Sequence, residues 1–325
     1  MNIFIFTDNS NFSKIKPMIN NFYWPIYKSL ERELIELSNL IHIDDRQLEI
    51  YSIKIAELLL RTCVEIESIS KALYFENGGV KDDDNNLFFD TDCLNLLETL
   101  WQLSKKQIQI SSINFYFTKL ENISLTPLKK ANKRGASSSD WQKAYQAVKH
   151  NRVTSLSKAN LKHLIRAMGA LYILNLYYNN NGYQLEKDSG GLNFDSSQGS
   201  SIFSIKLHIN TTINPARDYS KNFDFDDCIY ILKPTDDTRS INQQKFKEIN
   251  EIIAKRTITS LIDKVTQQTD NIQGKSKADA EFVIKAMVNE IHTENMIQVA
   301  KENAKAMKGV FESLRYEAVL NKQQY

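Results

Sequence analysis

Residues 158–178 read KANLKHLIRAMGALYILNLYY, and this stretch decides the class of fold. Its apolar residues recur at spacings of three and four, which predicts an α-helix. The most apolar part, Leu164–Tyr178, carries Arg166 and is too short to span a bilayer about 30 Å thick. A helix that is apolar nearly all round belongs in the middle of a helical bundle. One broad face and the smaller residues beside it make up that apolar surface: Leu161, Leu164, Ile165, Met168, Leu171, Tyr172 and Leu176, with Ala167, Ala170 and Leu174.

Further helices are predicted on the N-terminal side of this stretch. Helical spacing predicts one from Trp24 to Ile41, a second from about Asp45 to Tyr74 and a third from about Thr91 to Ser111. Another begins near Trp141, with Ser139 or Asp140 as its N-cap. Residues 114–126 fit either a strand or an extended crossover, and residues 2–6 fit a short strand. We therefore predict a mainly α fold, with a helical bundle over residues 1–182.

Residues 183–237 differ in composition and are rich in Ser, Asn, Asp and Gly. Residues 202–209 alternate in the period of two that a half-buried strand shows, with Phe203, Ile205, Leu207 and Ile209 on the predicted inner face. Residues 228–233 form a second apolar run that Pro234 closes. We interpret this region as a small β-hairpin insert.

Residues 238–325 are predicted to be a C-terminal helical extension. Apolar residues there follow a heptad pattern, which predicts a single amphipathic helix: Ile297, Ala300, Ala304, Met307, Phe311, Leu314 and Ala318. Two interpretations of this helix remain open. It docks on the protein's own core, or it mediates dimerisation or recruits a partner.

The composition is that of a globular protein. Hydrophobic residues make up 42% and charged residues 25% of the 325 residues, which is enough apolar surface for a sizeable core. No Cys-x-x-Cys pair is present, so we expect Cys63, Cys93 and Cys228 to be buried free thiols rather than zinc ligands. The N-terminal sequence lacks the basic and apolar regions of a signal peptide, which predicts a cytoplasmic protein.

Charge is concentrated in one segment. Between Lys129 and Arg166 there are ten basic residues and one acid, Asp140, a formal charge of +9 against +2 for the whole chain. Such a zone favours an anionic partner, with nucleic acid first. The alternative is a solvated face, or one that pairs with the acidic residues 82–84 and 224–227.

Standard catalytic and cofactor motifs are absent. The sequence has no phosphate loop, dinucleotide-binding glycine motif, nucleophile elbow or His-Glu-x-x-His, and we predict no cofactor. The carboxylates of Asp224, Asp226 and Asp227 lack the spacing of a calcium loop, which favours a polar turn over a metal site.

Residues 141–152 read WQKAYQAVKHNR and precede the buried helix. This segment resembles the divergent members of the HEPN superfamily, which carry Trp-x3-Tyr-x3-Lys-His-Asn-Arg before their last core helix. Residues 67–73 (ESISKAL) are similar to the Glu-x3-Lys pattern on an earlier helix of that family; a plain Glu67–Lys71 ion pair is the simpler interpretation. The resemblance covers about residues 25–180. It implies a helical bundle from prokaryotic defence or toxin–antitoxin systems.

HEPN ribonucleases cleave RNA without metal through an Arg-x4-6-His motif, usually in a site that two subunits form. This sequence departs from that motif and has Lys143-x6-His150 instead. Two helical turns separate these residues, so one helix face can carry both. A histidine can transfer the protons, and a cation can hold the phosphate. Lysine lacks the bidentate geometry of arginine, which Arg152 could supply instead.

The predicted site residues follow from this comparison. His150 is the candidate general acid and base. Lys143 and Arg152 are the candidates for binding the phosphate, and Asn151 is the candidate for an orienting role. A purely structural interpretation of His150, capping helix carbonyls, stays open. The predicted nucleic-acid-binding residues are Lys129, Lys130, Lys133, Arg134 and Lys149, with Trp141 and Tyr145 stacking on bases.

Two functions are compatible with these residues. The first is a metal-independent endoribonuclease of an antiviral defence or stress system, active as a homodimer. The second is a catalytically inactive HEPN-like scaffold that binds nucleic acid or a partner protein of a defence operon. Salt-sensitive nucleic-acid binding without cleavage would favour the scaffold.

Overall fold

The computed structural model describes residues 21–81, 86–209, 219–267 and 276–325, and it is mainly helical, as predicted. The strand predicted over residues 2–6 lies outside these ranges. The helices are α1 (Tyr23–Ser38), α2 (Ile53–Glu76), α3 (Asn95–Trp101), α4 (Leu120–Ile123), α5 (Asp140–His150), α6 (Arg152–Ser155), α7 (Leu161–Asn179), α8 (Asp236–Gln267), α9 (Lys277–Glu302) and α10 (Ala304–Ser313). The strands are β1 (Ile43–Asp44), β2 (Ile108–Ile110), β3 (Phe115–Tyr116), β4 (Ser124–Leu125), β5 (Tyr183–Glu186), β6 (Phe203–Ile205), β7 (Leu207–Ile209), β8 (Tyr230–Pro234) and β9 (Tyr316–Leu320).

Helix α7 is the centre of the core, as its apolar sequence predicts. Fourteen of its 19 residues are buried, and α1, α2 and α5 pack around it. The Asn160 side chain caps its first turn by accepting from the backbone N–H of His163 at 3.1 Å. Asn180 ends it in the left-handed conformation, with φ +47°. A Cβ at Gly169 would lie 2.6 Å from Ile108 Cδ1, so glycine lets strand β2 approach α7 closely.

Two of the predicted helices are shorter in the structure. Helix α2 begins at Ile53 rather than near residue 45, because the Ser52 side chain caps the backbone N–H of Ile55. The helix predicted over residues 91–111 is wrong beyond Trp101. A π-helical segment (Phe89–Leu94) leads into α3, and Gln102 ends α3 with φ +51°.

Three small sheets accompany the helices. Strands β1 and β3 form a parallel pair, and β4, β2 and β6 form an antiparallel sheet in that order. The third sheet has the order β5-β9-β8-β7, with β7 parallel to β8 and the other pairs antiparallel. The region 183–237 therefore shares its sheet with a strand from the end of the chain.

The single strand predicted over residues 202–209 is wrong. The chain breaks at the exposed Lys206, and its two halves, β6 and β7, enter different sheets. The side-chain alternation reverses at this break, so His208 is fully buried and Ile209 is 36% exposed. The irregular residue between the two strands shifts the alternation by one position and moves each later side chain to the opposite face, which a strict period of two cannot reveal.

The heptad helix predicted over residues 297–318 is also wrong. Helix α9 ends at Glu302, α10 covers residues 304–313, and Ala318 lies in strand β9. Phe311 is 55% exposed, and the side chain of Met307 lies outside the described part of the chain. Pairing of β9 with β5 and β8 overrides the local helical pattern. Helices α8 and α9 pack along each other as a long pair.

Candidate functional site

The start of helix α5 is fixed by its own sequence. Ser139 is the N-cap, and its side chain accepts from the backbone N–H of Gln142. In return, the Gln142 side chain accepts from the backbone N–H of Ser139 at 3.1 Å. This reciprocal capping box satisfies two backbone donors that the first turn of a helix otherwise leaves free.

The first turn of α5 also holds the preceding loop, which carries Lys129 and Lys130. Trp141 is 1% exposed, and its indole N–H donates to the carbonyl of Pro127 at 2.9 Å. Gln142 Nε2 donates to the carbonyl of Ala131 at 2.9 Å. These two bonds fix the ends of the turn that carries Lys129 and Lys130.

The prediction that Trp141 and Tyr145 stack on bases is wrong, because both side chains are buried. Tyr145 is 2% exposed and lies on the face of α5 that packs on α2 and α7. Burial raises the pKa of its hydroxyl, and the nearby Glu67 raises it further. Both aromatic residues hold the helix in place and leave no ring face for a ligand.

A concave pocket of about 380 Å³ lies at the start of α5. We call it the basic pocket, because four cations and two carboxylates line it: Lys129, Lys130, Lys143 and Arg166, with Glu121 and Asp140. Its walls come from the loop after β4, from α5 and from α7. Lys130 has φ +64°, a left-handed conformation that costs energy for a residue other than glycine and that often occurs at functional sites.

One pair of charges within the basic pocket is internally neutralised. Lys143 Nζ lies 2.9 Å from Asp140 Oδ1, and this hydrogen bond is the largest cause of the lowered pKa of Asp140. His163 and Arg166 lower that pKa further by their charge. Lys129, Lys130 and Arg166 have no ion-pair partner among the described residues.

Arg134 is occupied by a structural contact rather than facing the pocket. Its Nε and Nη2 atoms donate to the two carboxylate oxygens of Asp90, at 3.1 and 2.8 Å. Its guanidinium lies 3.7 Å above the ring of Phe88. The Asp90 carboxylate is 7% exposed, so this bidentate pair anchors the loop to the π-helical segment. Lys133, next to it, is exposed.

The predicted catalytic residues lie at the other end of α5. His150, Asn151 and Arg152 are all exposed. The Asn151 side chain caps α6 by accepting from the backbone N–H of Thr154 at 3.2 Å. Lys143 and His150 share one exposed face of α5, but seven residues of helix separate them by about 10 Å. The structure thus places Lys143 at the basic pocket and His150 beyond it.

Lys149 contacts the core side of α5 instead of solvent alone. Its Nζ lies 3.9 Å from Glu67 Oε1 and 5.1 Å from the ring centre of Tyr145. Glu67, predicted to pair with Lys71, therefore faces α5. This contact joins the two motif segments of the sequence.

Arg166 is the pocket residue that the sequence prediction missed. The signal was present, because Arg166 is the one arginine on a helix that is otherwise almost entirely apolar. A charged residue at such a position must reach a surface or a partner. In the structure it is half-buried and reaches the basic pocket.

Within the described ranges, no group of three or more His, Cys, Asp or Glu side chains is arranged to hold a metal ion. The cluster at 224–227 is divided between partners. Asp226 pairs with Lys105 at 2.8 Å, and Asp224 Oδ1 lies 3.8 Å from His208 Nε2. These carboxylates hold a turn together, in line with the polar-turn interpretation.

Comparison with known proteins finds no matching family model, no matching curated protein and no matching solved structure. Among the described residues, no helix has the length and hydropathy needed to cross a membrane.

Proposed function

We propose that this chain binds nucleic acid, with RNA favoured, as a HEPN-like protein of a prokaryotic defence or stress system. The basic pocket is the observation that carries this proposal. Lys129, Lys130 and Arg166 line one concave surface and have no ion-pair partner among the described residues. Phosphate groups are the anions that such unpaired cations bind in nucleic acids.

The neighbouring surface extends this interface. Helix α5 has 11 residues and is about 16 Å long. Its exposed face carries Lys143 near the pocket and His150 at its end, where Arg152 follows. A strand that leaves the basic pocket along α5 therefore meets further cations. Since the predicted stacking residues are buried, affinity on this face comes from phosphate contacts.

The test is fluorescence anisotropy with a labelled single-stranded RNA over a range of salt concentrations. Each phosphate contact to a single strand contributes about 0.7 to the slope of log K against log salt. The double variant Lys129→Ala/Lys130→Ala should therefore lower that slope by about 1.4. Lys187→Ala, an exposed lysine outside the basic segment, is the matched control. Unchanged binding by the double variant would refute this proposal.

Metal-independent RNA cleavage is the second candidate function. The observation in its favour is the shared exposed face of Lys143 and His150. Lys143 Nζ is paired with Asp140, on the side of Lys143 away from His150, so it would have to leave that ion pair to share a phosphate with His150. Arg152, next to His150, would hold the phosphate while His150 transfers protons. Cleavage in EDTA that is lost in His150→Ala and retained in Lys187→Ala would support catalysis. Cleavage retained in His150→Ala would contradict it.

A homodimer is the partner state that this proposal includes, and the α8–α9 pair supplies its contact surface. Large apolar side chains are exposed along both helices: Ile252, Ile258, Ile262, Phe282, Met296 and Ile297. Their partners inside the pair, such as Ile253 and Ile291, are buried. Each helix therefore has one apolar side buried against its neighbour and further apolar residues exposed to solvent. The α8–α9 pair of a second copy would cover these exposed residues in a four-helix bundle. Positive and negative residues are mixed on both helices, which suits a second copy better than RNA.

Analytical ultracentrifugation tests this dimer. Ile258→Asp/Ile262→Asp should convert the dimer to a monomer, because it would bury unpaired charges at the contact. Ile258→Leu/Ile262→Leu keeps both positions apolar and should leave the dimer intact. A monomeric wild-type chain at about 100 µM would overturn this part of the proposal.

A further inference from the structure

A second pocket lies where the helical body meets the four-stranded sheet, and it shares no lining residue with the basic pocket. It has a volume of about 390 Å³. Five segments form it: the start of α1, the end of α7, β5, β8 and the loop that precedes β6. Its lining residues are Asn21, Trp24, Pro25, Leu176, Asn179, Asn181, Tyr183, Gln198, Gly199 and Tyr230. Small-molecule sites in proteins have volumes of about 300–1,000 Å³ and often occur at such junctions.

The lining of this pocket is uncharged and combines two kinds of side chain. Four carboxamides and three aromatic rings contribute to it, and none of its ten residues is acidic or basic. Asn21 and Asn179 are hydrogen-bonded to each other, which leaves Asn181 and Gln198 as the carboxamides whose donor and acceptor can bind the edge of a planar heterocycle. An indole or phenol ring offers a stacking surface for that heterocycle. We call this cavity the amide pocket.

Gln198 is left incompletely satisfied at this pocket. Its Nε2 donates to the carbonyl of Asp195 at 2.5 Å, but its Oε1 is buried without a hydrogen-bond partner among the described residues. A buried acceptor without a partner is rare in a native protein and requires an explanation. A bound ligand that donates a hydrogen bond to Oε1 would be a direct explanation.

The backbone around Gln198 is also held in uncommon conformations. Gln198 has φ +46° and Gly199 has φ +81°. A Cβ at Gly199 would lie 3.4 Å from Trp24 Cζ2, so glycine keeps the space beside the indole open. Left-handed residues other than glycine persist where surrounding structure enforces them, and they are enriched at ligand sites.

We propose that the amide pocket binds an uncharged nucleobase, carried either by a free nucleoside or by a single-stranded nucleic acid. Gln198 Oε1 accepts from an exocyclic or ring N–H of the base, Asn181 supplies an exposed carboxamide at the mouth, and Trp24 offers its half-exposed ring for stacking. This site does not rest on the nucleic-acid function proposed above, because none of the cations of the basic pocket lines it.

The experiment uses adenosine, guanosine, cytidine and uridine as probes, with tryptophan fluorescence as the signal. Trp24 is half-buried, whereas Trp101 and Trp141 are 3% and 1% exposed, so a bound base should quench mainly Trp24. We expect saturable quenching by at least one nucleoside. Asn181→Ala and Gln198→Leu should each weaken it by about fivefold to tenfold. Asn193→Ala, an exposed asparagine outside the pocket, is the control and should bind as the wild type does.

Structural damage is separated from loss of a ligand contact by thermal unfolding. Asn181 is exposed, so Asn181→Ala should melt with the wild type while binding weakens. Equal affinities of Asn181→Ala and wild type for the nucleoside that quenches would overturn the proposal. If no nucleoside quenches saturably at about 10 mM, an oligonucleotide affinity that Asn181→Ala leaves unchanged would also overturn it.

A labelled oligonucleotide distinguishes the two sources of the base. If the site serves bases within a strand, Asn181→Ala weakens oligonucleotide binding without changing its salt slope, because no phosphate contact is lost. If it serves free nucleosides, oligonucleotide binding is unchanged while nucleoside binding weakens. Loss of phosphate contacts at the basic pocket is recognised separately, because it lowers the slope of log K against log salt and leaves nucleoside binding intact.

Discussion

Replacing Trp141 with phenylalanine tests whether a neutral buried contact supports the basic pocket. The indole N–H donates to the carbonyl of Pro127, two residues before Lys129. Phenylalanine keeps an aromatic ring in the core but cannot donate. The carbonyl of Pro127 then loses its partner, and the loop that carries Lys129 and Lys130 loses one of its two attachments to α5.

The expected loss of stability has two contributions. A buried acceptor without a partner costs about 1–3 kcal/mol. The smaller ring leaves a void at a side chain that is 1% exposed, which adds about 1–2 kcal/mol. We therefore expect Trp141→Phe to lower the free energy of unfolding by about 2–5 kcal/mol.

Trp101→Phe is the matched control for this prediction. Trp101 is 3% exposed and stacks on Tyr177 with ring centres 4.8 Å apart, but its indole N–H forms no hydrogen bond with a described residue. It should lose the void contribution, about 1–2 kcal/mol, and part of the contact with Lys322 Nζ, which lies 5.3 Å from the ring centre, but no hydrogen bond. Urea unfolding measures both variants, and RNA anisotropy should weaken in Trp141→Phe alone. Equal losses of stability and equal RNA affinities in the two variants would refute the reasoning.

Three further predictions concern the rest of the chain. Burial lowers the pKa of Lys106 to about 8, so between pH 8 and its unfolded value near 10.5 the unfolded state binds the extra proton. The contribution of Lys106 to stability should therefore rise with pH across that interval, by up to about 3 kcal/mol. Urea titrations should show it as the difference between wild type and Lys106→Met, because the buried thiols, whose raised pKa values lower stability above pH about 9, are common to both. Asp90→Asn weakens the bidentate contact to the half-exposed Arg134 and should cost about 1 kcal/mol in the same assay; no change would mean that Arg134 does not anchor the loop. A thiol reagent should label none of the three cysteines in the native protein and all three after denaturation, because Cys63, Cys93 and Cys228 are buried and free. Rapid labelling of the native protein would contradict that burial.

The sequence was most informative where one helix carries a strong and continuous pattern. The stretch over residues 158–178 predicts a central helix, and α7 covers Leu161–Asn179. Ser139 was likewise a predicted cap, and it starts α5. Both predictions depend on local chemistry, namely apolar spacing and side-chain capping, which act within a few residues of the chain.

Long-range pairing explains the predictions that failed. The spacing from Ile297 to Ala318 fits a helix, but Ala318 pairs with Leu232 and Tyr183 in the four-stranded sheet. Strand partners more than 80 residues away are invisible to a local pattern. The break at Lys206 has the same origin, since β6 joins β2 while β7 joins β8.

The site shows a similar limit. The sequence located the charged segment, but the prediction assigned its aromatic rings to solvent from their charged neighbours rather than from their position on the helix. On α5 the apolar face includes Trp141, Ala144, Tyr145 and Val148, and a plain helical projection places both aromatic residues on that face. The composition of a segment indicates its charge, whereas the packing of its helix decides which side chains a ligand can reach.

Packing and ion pairing also limit how many cations of the basic segment, residues 129–166, are available for binding. Four of its ten cations have carboxylate partners: Arg134 with Asp90, Lys143 with Asp140, Lys149 with Glu67 and Lys162 with Glu49. The remaining six would give a salt slope of about 4 if all contacted a single strand, and the three at the basic pocket alone would give about 2. A measured slope near 2 would confine the interface to the pocket, and one near 4 would extend it past Arg152. A slope near 7, as for ten contacts, would require the four ion pairs to break on binding, which would contradict the structural role assigned to Arg134.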